Sequence, residues 1–546
     1  MRTDTYPMPS AQPLAEAYIH RTDSRIDSLY GYHAGADEDW QRRAERLAAA
    51  GGTRTDSAGL ADALRLYNEK AGASPETFAN IAAIAEGAPV VIGGQQAGLW
   101  TGPLLVIHKA VSIVRAAAEA AEQLGRPVVP VFWVAGEDHD WDEANHAYVI
   151  TAEQELRKLS AARPEGSRTS VSRTAVADET WERLLGELEE ALPHSEFKPA
   201  MLAELRRMSL GARSLSDMFA RVISHLFGKS GLVLIDADDE NVRRLEAPMF
   251  RAMIERNDEL ERAYAASAEK VRQLGYSMQA DVTPGSANLF LFHEANGYER
   301  TLLHKRDGAF QDRKGQLSIS AEQLLHIADR EPEQLSNNVL TRPLMQDYLF
   351  PVLAVVLGPG EIAYWALTGE AFRVMGMEMP IIVPRMSYTL VEGTIAKYMD
   401  KYELSFDDVM NRFDEKKAAW LKVQDGLSIE QRFDDAKRAF EELYKPLLTL
   451  AAGVQPGLAK LGDTNMQKII EQIQYMGSKT VDAFNKQFEA STRQLDRVQL
   501  AIKPLGKPQE RVLNMAAYWN RYDAAWIEKL LDTPFDRTGG HRIVYL

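Results

Sequence analysis

The chain contains no cysteine. Disulfides, thiolate-ligated zinc and a cysteine nucleophile are therefore excluded. It has no excess of positive charge: 63 Lys and Arg stand against 78 Asp and Glu, a formal net charge of -15. That balance disfavours a nucleic-acid partner held by phosphate neutralisation. No apolar run reaches the roughly 18 residues that suggest a membrane span. The N-terminus, MRTDTYPMPSAQPLAEAYIH, lacks the apolar stretch of a signal peptide, so a cytoplasmic protein is expected. The sequence has neither a fixed-period repeat nor a low-complexity segment. What is present, 45% hydrophobic and 26% charged residues over 546 positions, reads as an ordinary globular chain long enough for more than one unit.

Residues 1–85 read as helices and loops with polar breaks such as AGGTRTDSAG (50–59). Residues 88–94 (APVVIGG) read as a short buried strand, and 103–124 as a helix. Pro103 suits its first turn, Thr101 or Gly102 can cap it, and Gly125 suits its end. Residues 126–138 supply the next apolar strand. Strand, helix and strand in this order form a right-handed βαβ unit with parallel pairing. Further strand candidates at 231–239, 288–292, 351–358 and 379–385 alternate with helical patterns. The economical fold class is α/β, an open parallel sheet.

From about Leu390 strand signals vanish until the last few residues. Phe433, Ala436, Phe440, Leu443, Leu447 and Leu450 step by threes and fours. Met466, Ile469, Ile473, Met476 and Thr480 do the same, and Phe484 and Phe488 follow. A break at 451–463 separates the runs, which predicts a helical hairpin of coiled-coil type and, through it, a homodimer. Cations and anions nearly balance over 401–500, which does not favour RNA binding by the hairpin. The expected domains are 1–390, a core with N-terminal helices and insertions; 391–500, the coiled coil; and 501–546, a segment returning to the core.

In open α/β sheets ligands bind at the carboxyl ends of the strands. The loop GGQQAGLWTGPL sits at such an end. Gly98 and Gly102 allow close backbone approach, Gln95 and Gln96 offer amide donors and acceptors, and Thr101 precedes a helix N-terminus suited to an anion. No P-loop lysine follows. The second strand ends in GEDHDWDE, with Glu137, Asp138, His139 and Asp140. Three uses fit this cluster: a divalent metal site, recognition of an ammonium group, or a His general base oriented by Asp. GPGEIAYW brings Gly358, Gly360, Glu361, Tyr364 and Trp365, which suit close approach, acceptance from hydroxyls and stacking on a ring. VPRMSYTLVE brings Arg385, whose planar fork suits a carboxylate or phosphate, and Ser387. Arg342, Gln346 and Asp347 lie on a probable helix, and His108 and Lys109 on the first crossover helix; the pattern assigns none of them a role.

The set GGQQAGLWTGPL, PVFWVAGEDHDWDE, NVLTRPLMQDYLFP, GPGEIAYWA and MPIIVPRMS, with KPLGKPQERVLNMAAYWNRY (503–522), resembles the bacillithiol biosynthesis cysteine-adding enzyme family. The resemblance runs over nearly the whole chain in the same order. It implies a Rossmann-type core related to class I aminoacyl-tRNA synthetases and a dimerising coiled coil. It also implies the activity: joining cysteine to glucosaminyl malate through an amide, the last step to bacillithiol. By this analogy 95–102 stands in place of the first synthetase signature, GEDHD at a strand-end acidic motif and RMS (385–387) near the second signature. The chain has neither H-x-G-H nor K-M-S-K-S.

On that reading the cysteine carboxyl must be activated, and ATP with magnesium is the simplest activator. Gln95, Gln96, Thr101 and the helix N-terminus would hold the activated part. Glu137 or Asp138 would hold the cysteine ammonium, His139 would deprotonate the sugar amine, and Arg385 would hold the malyl carboxylates. Two rivals are a metal-dependent hydrolase using Asp138, His139 and Asp140, and a non-catalytic coiled-coil scaffold.

Overall fold

The computed structural model describes residues 2–49, 54–424 and 426–546. Residues 50–53 of the expected polar break lie outside the described residues. The chain forms two compact units, one of Met1–Leu390, Gln509–Val544 and Leu546, the other of Val391–Pro508 and Tyr545.

The first unit is built on a five-stranded sheet: β1 (Val90–Gln95), β2 (Val129–Val134), β3 (Val233–Asp236), β4 (Val352–Leu357) and β5 (Ile381–Pro384). Their spatial order is β5-β4-β1-β2-β3, every pairing parallel. The strands are near-continuous Val, Ile and Leu because both faces are covered; Ile92, Val131, Val233 and Ile382 are all fully buried. Helix α1 (Leu105–Leu124) crosses from β1 to β2, burying Ile107, Val111, Ile113 and Ala117, and ends where Gly125 adopts a left-handed φ of 62°. Three further helices matter for the site: α2 (Glu240–Glu255), α3 (Arg342–Leu349) and α4 (Pro359–Trp365). The order of strands reverses between β1 and β4, so the crevice expected of such sheets opens between Gln95 and Gly358.

The strand expected at 288–292 does not join this sheet. Ser286–Phe292 pairs antiparallel with Arg300–Arg306 and Leu335–Asn337, in a second five-stranded sheet completed by Ala309–Gln311 and Ser318–Ser320. A five-residue apolar run does not distinguish a parallel core strand from an antiparallel one, and the partner strands alternate with polar residues. Two other pairings are absent from the sequence reading: His146–Ile150 with Leu156–Ser160, and Thr3–Tyr6 with the C-terminal strand Gly540–Tyr545.

In the second unit α5 (Ile429–Val454) and α6 (Gly457–Gln487) pack on each other. Phe433 lies against Gly477, Leu448 against Gly462, and Asn465 Nδ2 donates to the Tyr444 hydroxyl at 2.8 Å, so the helices run antiparallel. The facing positions differ from those expected. After Phe440 they continue in fours through Tyr444 and Leu448, which turns Leu443, Leu447 and Leu450 outward, 71%, 54% and 67% exposed. The drift between a 3.5-residue repeat and the 3.6-residue turn accounts for the shift. Among the described residues no helix is long and apolar enough to cross a membrane.

Candidate functional site

The glycine- and glutamine-rich loop closes on itself after β1. Trp100 and Thr101 take left-handed φ values of 45° and 75°, and Gly102 one of 70°. A Cβ on Gly98 would lie 2.7 Å from Gly102 Cα, so these glycines serve the contact of chain with chain. Asn514 Nδ2 donates to the carbonyls of Trp100 (2.9 Å) and Gly102 (2.7 Å), and Leu104 N donates to Leu513 O. The start of α1 is thus covered: Thr101, Leu104 and Ile107 are fully buried. The anion site expected there is closed, and neither Thr101 nor Gly102 caps the helix, whose N-cap is Leu104 with no side-chain cap. Gln95 and Gln96 stay half-buried; Gln96 Nε2 donates to Asp140 O at 3.0 Å.

Lys109, given no role by the sequence pattern, reaches from α1 into the crevice. Its buried ammonium donates to Gly94 O (2.7 Å), Gln95 Oε1 (3.0 Å) and Glu361 Oε2 (2.6 Å), which uses all three protons. Burial pulls its pKa down, against the opposing charge of Glu361. Glu361 also accepts from Gly358 N at 2.7 Å, which ties its side chain back to the start of α4. Gly358 and Glu361 are therefore tied to one another, while Gly360 faces open space. The Tyr364 hydroxyl accepts from Arg342 at 2.6 Å, and the charges of Glu361, Glu137 and Asp138 all act on that guanidinium. Trp365 is only 2% exposed and packs toward Phe372, so the expected stacking surface is not presented. Asp347 is consumed by Arg43 (2.7 Å) and Arg54 (3.2 Å), and Gln346 is buried.

Arg385 does not hold an open position either. Both its terminal nitrogens donate to the Glu510 carboxylate, at 2.9 and 2.8 Å. Glu510 also bonds His108 Nδ1 at 2.7 Å. Burial alone would raise the Glu510 pKa, yet Arg385 and His108 hold it well below the carboxylate range. Ser387 Oγ meets His541 Nδ1 at 2.8 Å, and Thr389 Oγ1 meets Nε2 at 2.9 Å; burial pulls His541 down to about 4.

The end of β2 differs. Glu137 is buried and bonded to Arg243 of α2 at 2.5 Å, and Arg243 also pairs with Glu246 at 2.6 Å. Asp140 Oδ1 accepts from Glu143 N, capping the short helix Trp141–Ala144. Asp138 and His139 remain open, their side chains 39% and 40% exposed and 3.4 Å apart. Burial raises the Asp138 pKa, but bonds from His139 and the charge of Arg300 outweigh it and leave the carboxylate at about 2. Arg300 comes from the second sheet. Its guanidinium lies 3.8 Å from the Phe290 ring centre, donates to Ser336 Oγ (3.0 Å) and Asn337 O (2.7 Å), and stands 3.5 Å from His139 Nδ1. Beside it the amide of Asn337 is buried with neither end hydrogen-bonded among the described residues. No sequence spacing links 138–139 to 300 and 337; the signal is one of two arginines on a mixed strand.

The strand ends can thus hold a cationic amine at Asp138, move a proton at His139 and meet an anion at Arg300. Among the described residues no group of three or more His, Asp or Glu side chains that could hold a metal ion is found, and Asp140 Oδ1 serves as a helix cap.

Residues 1–386 match the family model "Bacillithiol biosynthesis BshC, N-terminal Rossmann-like domain", and 388–546 match "Bacillithiol biosynthesis BshC, C-terminal coiled-coil domain". Proteins named "Putative cysteine ligase BshC" are similar over most or all of their length. That of Geobacillus thermodenitrificans is 36% identical over 551 residues, covering 100% of both chains. That of Symbiobacterium thermophilum is 35% identical, covering 96% of each. That of Bacillus cereus (strain Q1) is 35% identical over 88% of this chain and 89% of its own. A Rossmann-like parallel sheet, a helical C-terminal region and full-length identity above one third together place the chain in the bacillithiol biosynthesis BshC family of cysteine ligases.

Proposed function

We propose that the protein joins cysteine to glucosaminyl malate through an amide bond, the last step of bacillithiol synthesis, at the open end of β2. The observation that carries the site is the pair Asp138–His139, open at strand ends whose other charges among the described residues are mostly paired internally, with the buried Arg300 guanidinium 3.9 Å from Asp138. Asp138, ionised at neutral pH, holds the cysteine ammonium; Glu137 is unsuited because Arg243 already occupies it. His139 takes the proton of the sugar amine as its nitrogen bonds the activated carboxyl carbon and the leaving oxygen departs. Gln95 and Gln96 line the approach. Lys109, held by Glu361, fixes the Gln95 amide, while Arg342 and Arg385 are taken by Tyr364 and Glu510.

On this proposal the core follows the class I aminoacyl-tRNA synthetase pattern, and the antiparallel hairpin of α5 and α6 is the coiled coil of the segment expected at 391–500, within the unit Val391–Pro508. Its exposed Leu443, Leu447, Leu450 and Val454 lie on one helical face at steps of 4, 3 and 4 and support a homodimer joined there. The test is to incubate protein with cysteine and glucosaminyl malate, with and without ATP and magnesium, and follow bacillithiol by mass spectrometry. Product only with ATP supports a nucleotide-dependent ligase. No product in either tube from folded protein contradicts the reading.

A further inference from the structure

The second sheet of the first unit carries a cavity of about 1060 Å³, lined among others by Arg300, His304, Arg306, Arg313 and Lys314. Ligand pockets are commonly about 300–1,000 Å³, so a sugar-sized molecule fits. Its charges are unequal. Arg306, Arg313 and Lys314 are exposed, and their side chains have no partner among the described residues. Three acids share the wall: Asp281 is exposed, and Asp312 is 9% exposed and turned inward, accepting from Leu317 N at 2.8 Å and Lys314 N at 3.3 Å. Glu299 Oε1 accepts from Arg168 N. Four cationic side chains, Arg300, Arg306, Arg313 and Lys314, thus stand against three carboxylates, an excess of one positive charge; burial first, and then the charges of Arg306 and Arg313, pull the His304 pKa down. Cations left unpaired around a concave wall are a binding site for an anion.

We propose that this cavity, with Arg306, Arg313 and Lys314, receives the dicarboxylate end of the amine substrate and sets specificity for it. The inference rests on the ligase reading above and names the anion subsite of the same reaction. Arg385, the residue the sequence suggested for those carboxylates, is taken by Glu510, so the charge must be met elsewhere. Arg300 joins the two places: it lines the cavity and stands 3.5 Å from His139. A dicarboxylate beyond Arg300 leaves the sugar amine on the side of His139 and Asp138. A nucleotide triphosphate shares the anion chemistry, and the test separates the two.

Calorimetric titration of the full chain uses three probes: glucosaminyl malate, glucosamine, and ATP with magnesium. The variants are Arg306→Gln/Arg313→Gln/Lys314→Gln and, as a control on the same surface, Lys305→Gln. The triple variant is expected to bind glucosaminyl malate roughly tenfold more weakly, with affinities for glucosamine and ATP unchanged. In turnover the KM for glucosaminyl malate rises by a similar factor while kcat and the KM for cysteine hold. Unchanged binding of glucosaminyl malate by the triple variant overturns the subsite and leaves the ligase reading standing. Weakened binding of ATP alone assigns the cavity to the nucleotide and overturns the proposal. Failure of the unaltered protein to bind glucosaminyl malate overturns the ligase reading, and the subsite with it.

Discussion

The two sides of the strand-end crevice use the same residue types and treat them differently. Around β1, β4 and β5, Lys109, Arg385, Glu510 and His108 are each paired and at most 6% exposed. At the end of β2, Asp138 and His139 each keep about two-fifths of their side chains exposed. Charges matched inside the protein cannot also meet a substrate without leaving a buried partner bare. Charges left at the rim can. On the proposed reading, the closed side fixes geometry and the open side is where bonds change.

Removing one partner on the closed side should have the largest effect. Arg385→Gln leaves Glu510 buried without its guanidinium and is expected to cost roughly 3–5 kcal/mol of stability, read by urea unfolding. A loss below about 1 kcal/mol would show the pair to be dispensable. Lys109→Met should cost about 3 kcal/mol by the same method, since Glu361 and the Gly94 carbonyl both lose their donor. On the open side His139→Ala should lower kcat/KM by roughly a hundredfold or more, with Tm within about 1 °C of the unaltered protein.

A smaller effect belongs to pH. His541 is held at about 4 in the folded protein, against about 6.5 for a free imidazole. The unfolded chain binds the extra proton first as pH falls. Stability from this group is therefore full above pH 6.5 and lost on descending to pH 4, by roughly 2–3 kcal/mol. Unfolding of His541→Gln across that range should show a flatter slope; an identical slope removes His541 from the account. The smallest expected effect on the core is that of Leu447→Glu on α5. It should convert dimer to monomer in sedimentation while helical content holds, and a persistent dimer would place the interface elsewhere.

How far the sequence could be read follows from what each signal depends on. The central strands were legible because burial on both faces demands continuous Val, Ile and Leu. GEDHD was legible because four charged or titratable side chains follow such a run directly. Lys109 was not, since one lysine in an apolar helix has the same pattern whether it snorkels outward or anchors three acceptors inside. Glu510 and Asn514 lie in a segment without periodicity, yet one neutralises Arg385 and the other seals the loop after β1. Arg300 was missed because its meaning depends on a strand from a sheet that polar alternation concealed. The outward turn of Leu443, Leu447 and Leu450 needed only one extra position in a repeat, which no stepping pattern resolves.

The most direct measurement is the ligation rate and unfolding free energy of His139→Ala beside those of Arg385→Gln, with cysteine and glucosaminyl malate followed by mass spectrometry. The account predicts that His139→Ala loses the rate and keeps the stability, while Arg385→Gln loses the stability. A His139→Ala protein that ligates at the full rate would contradict it.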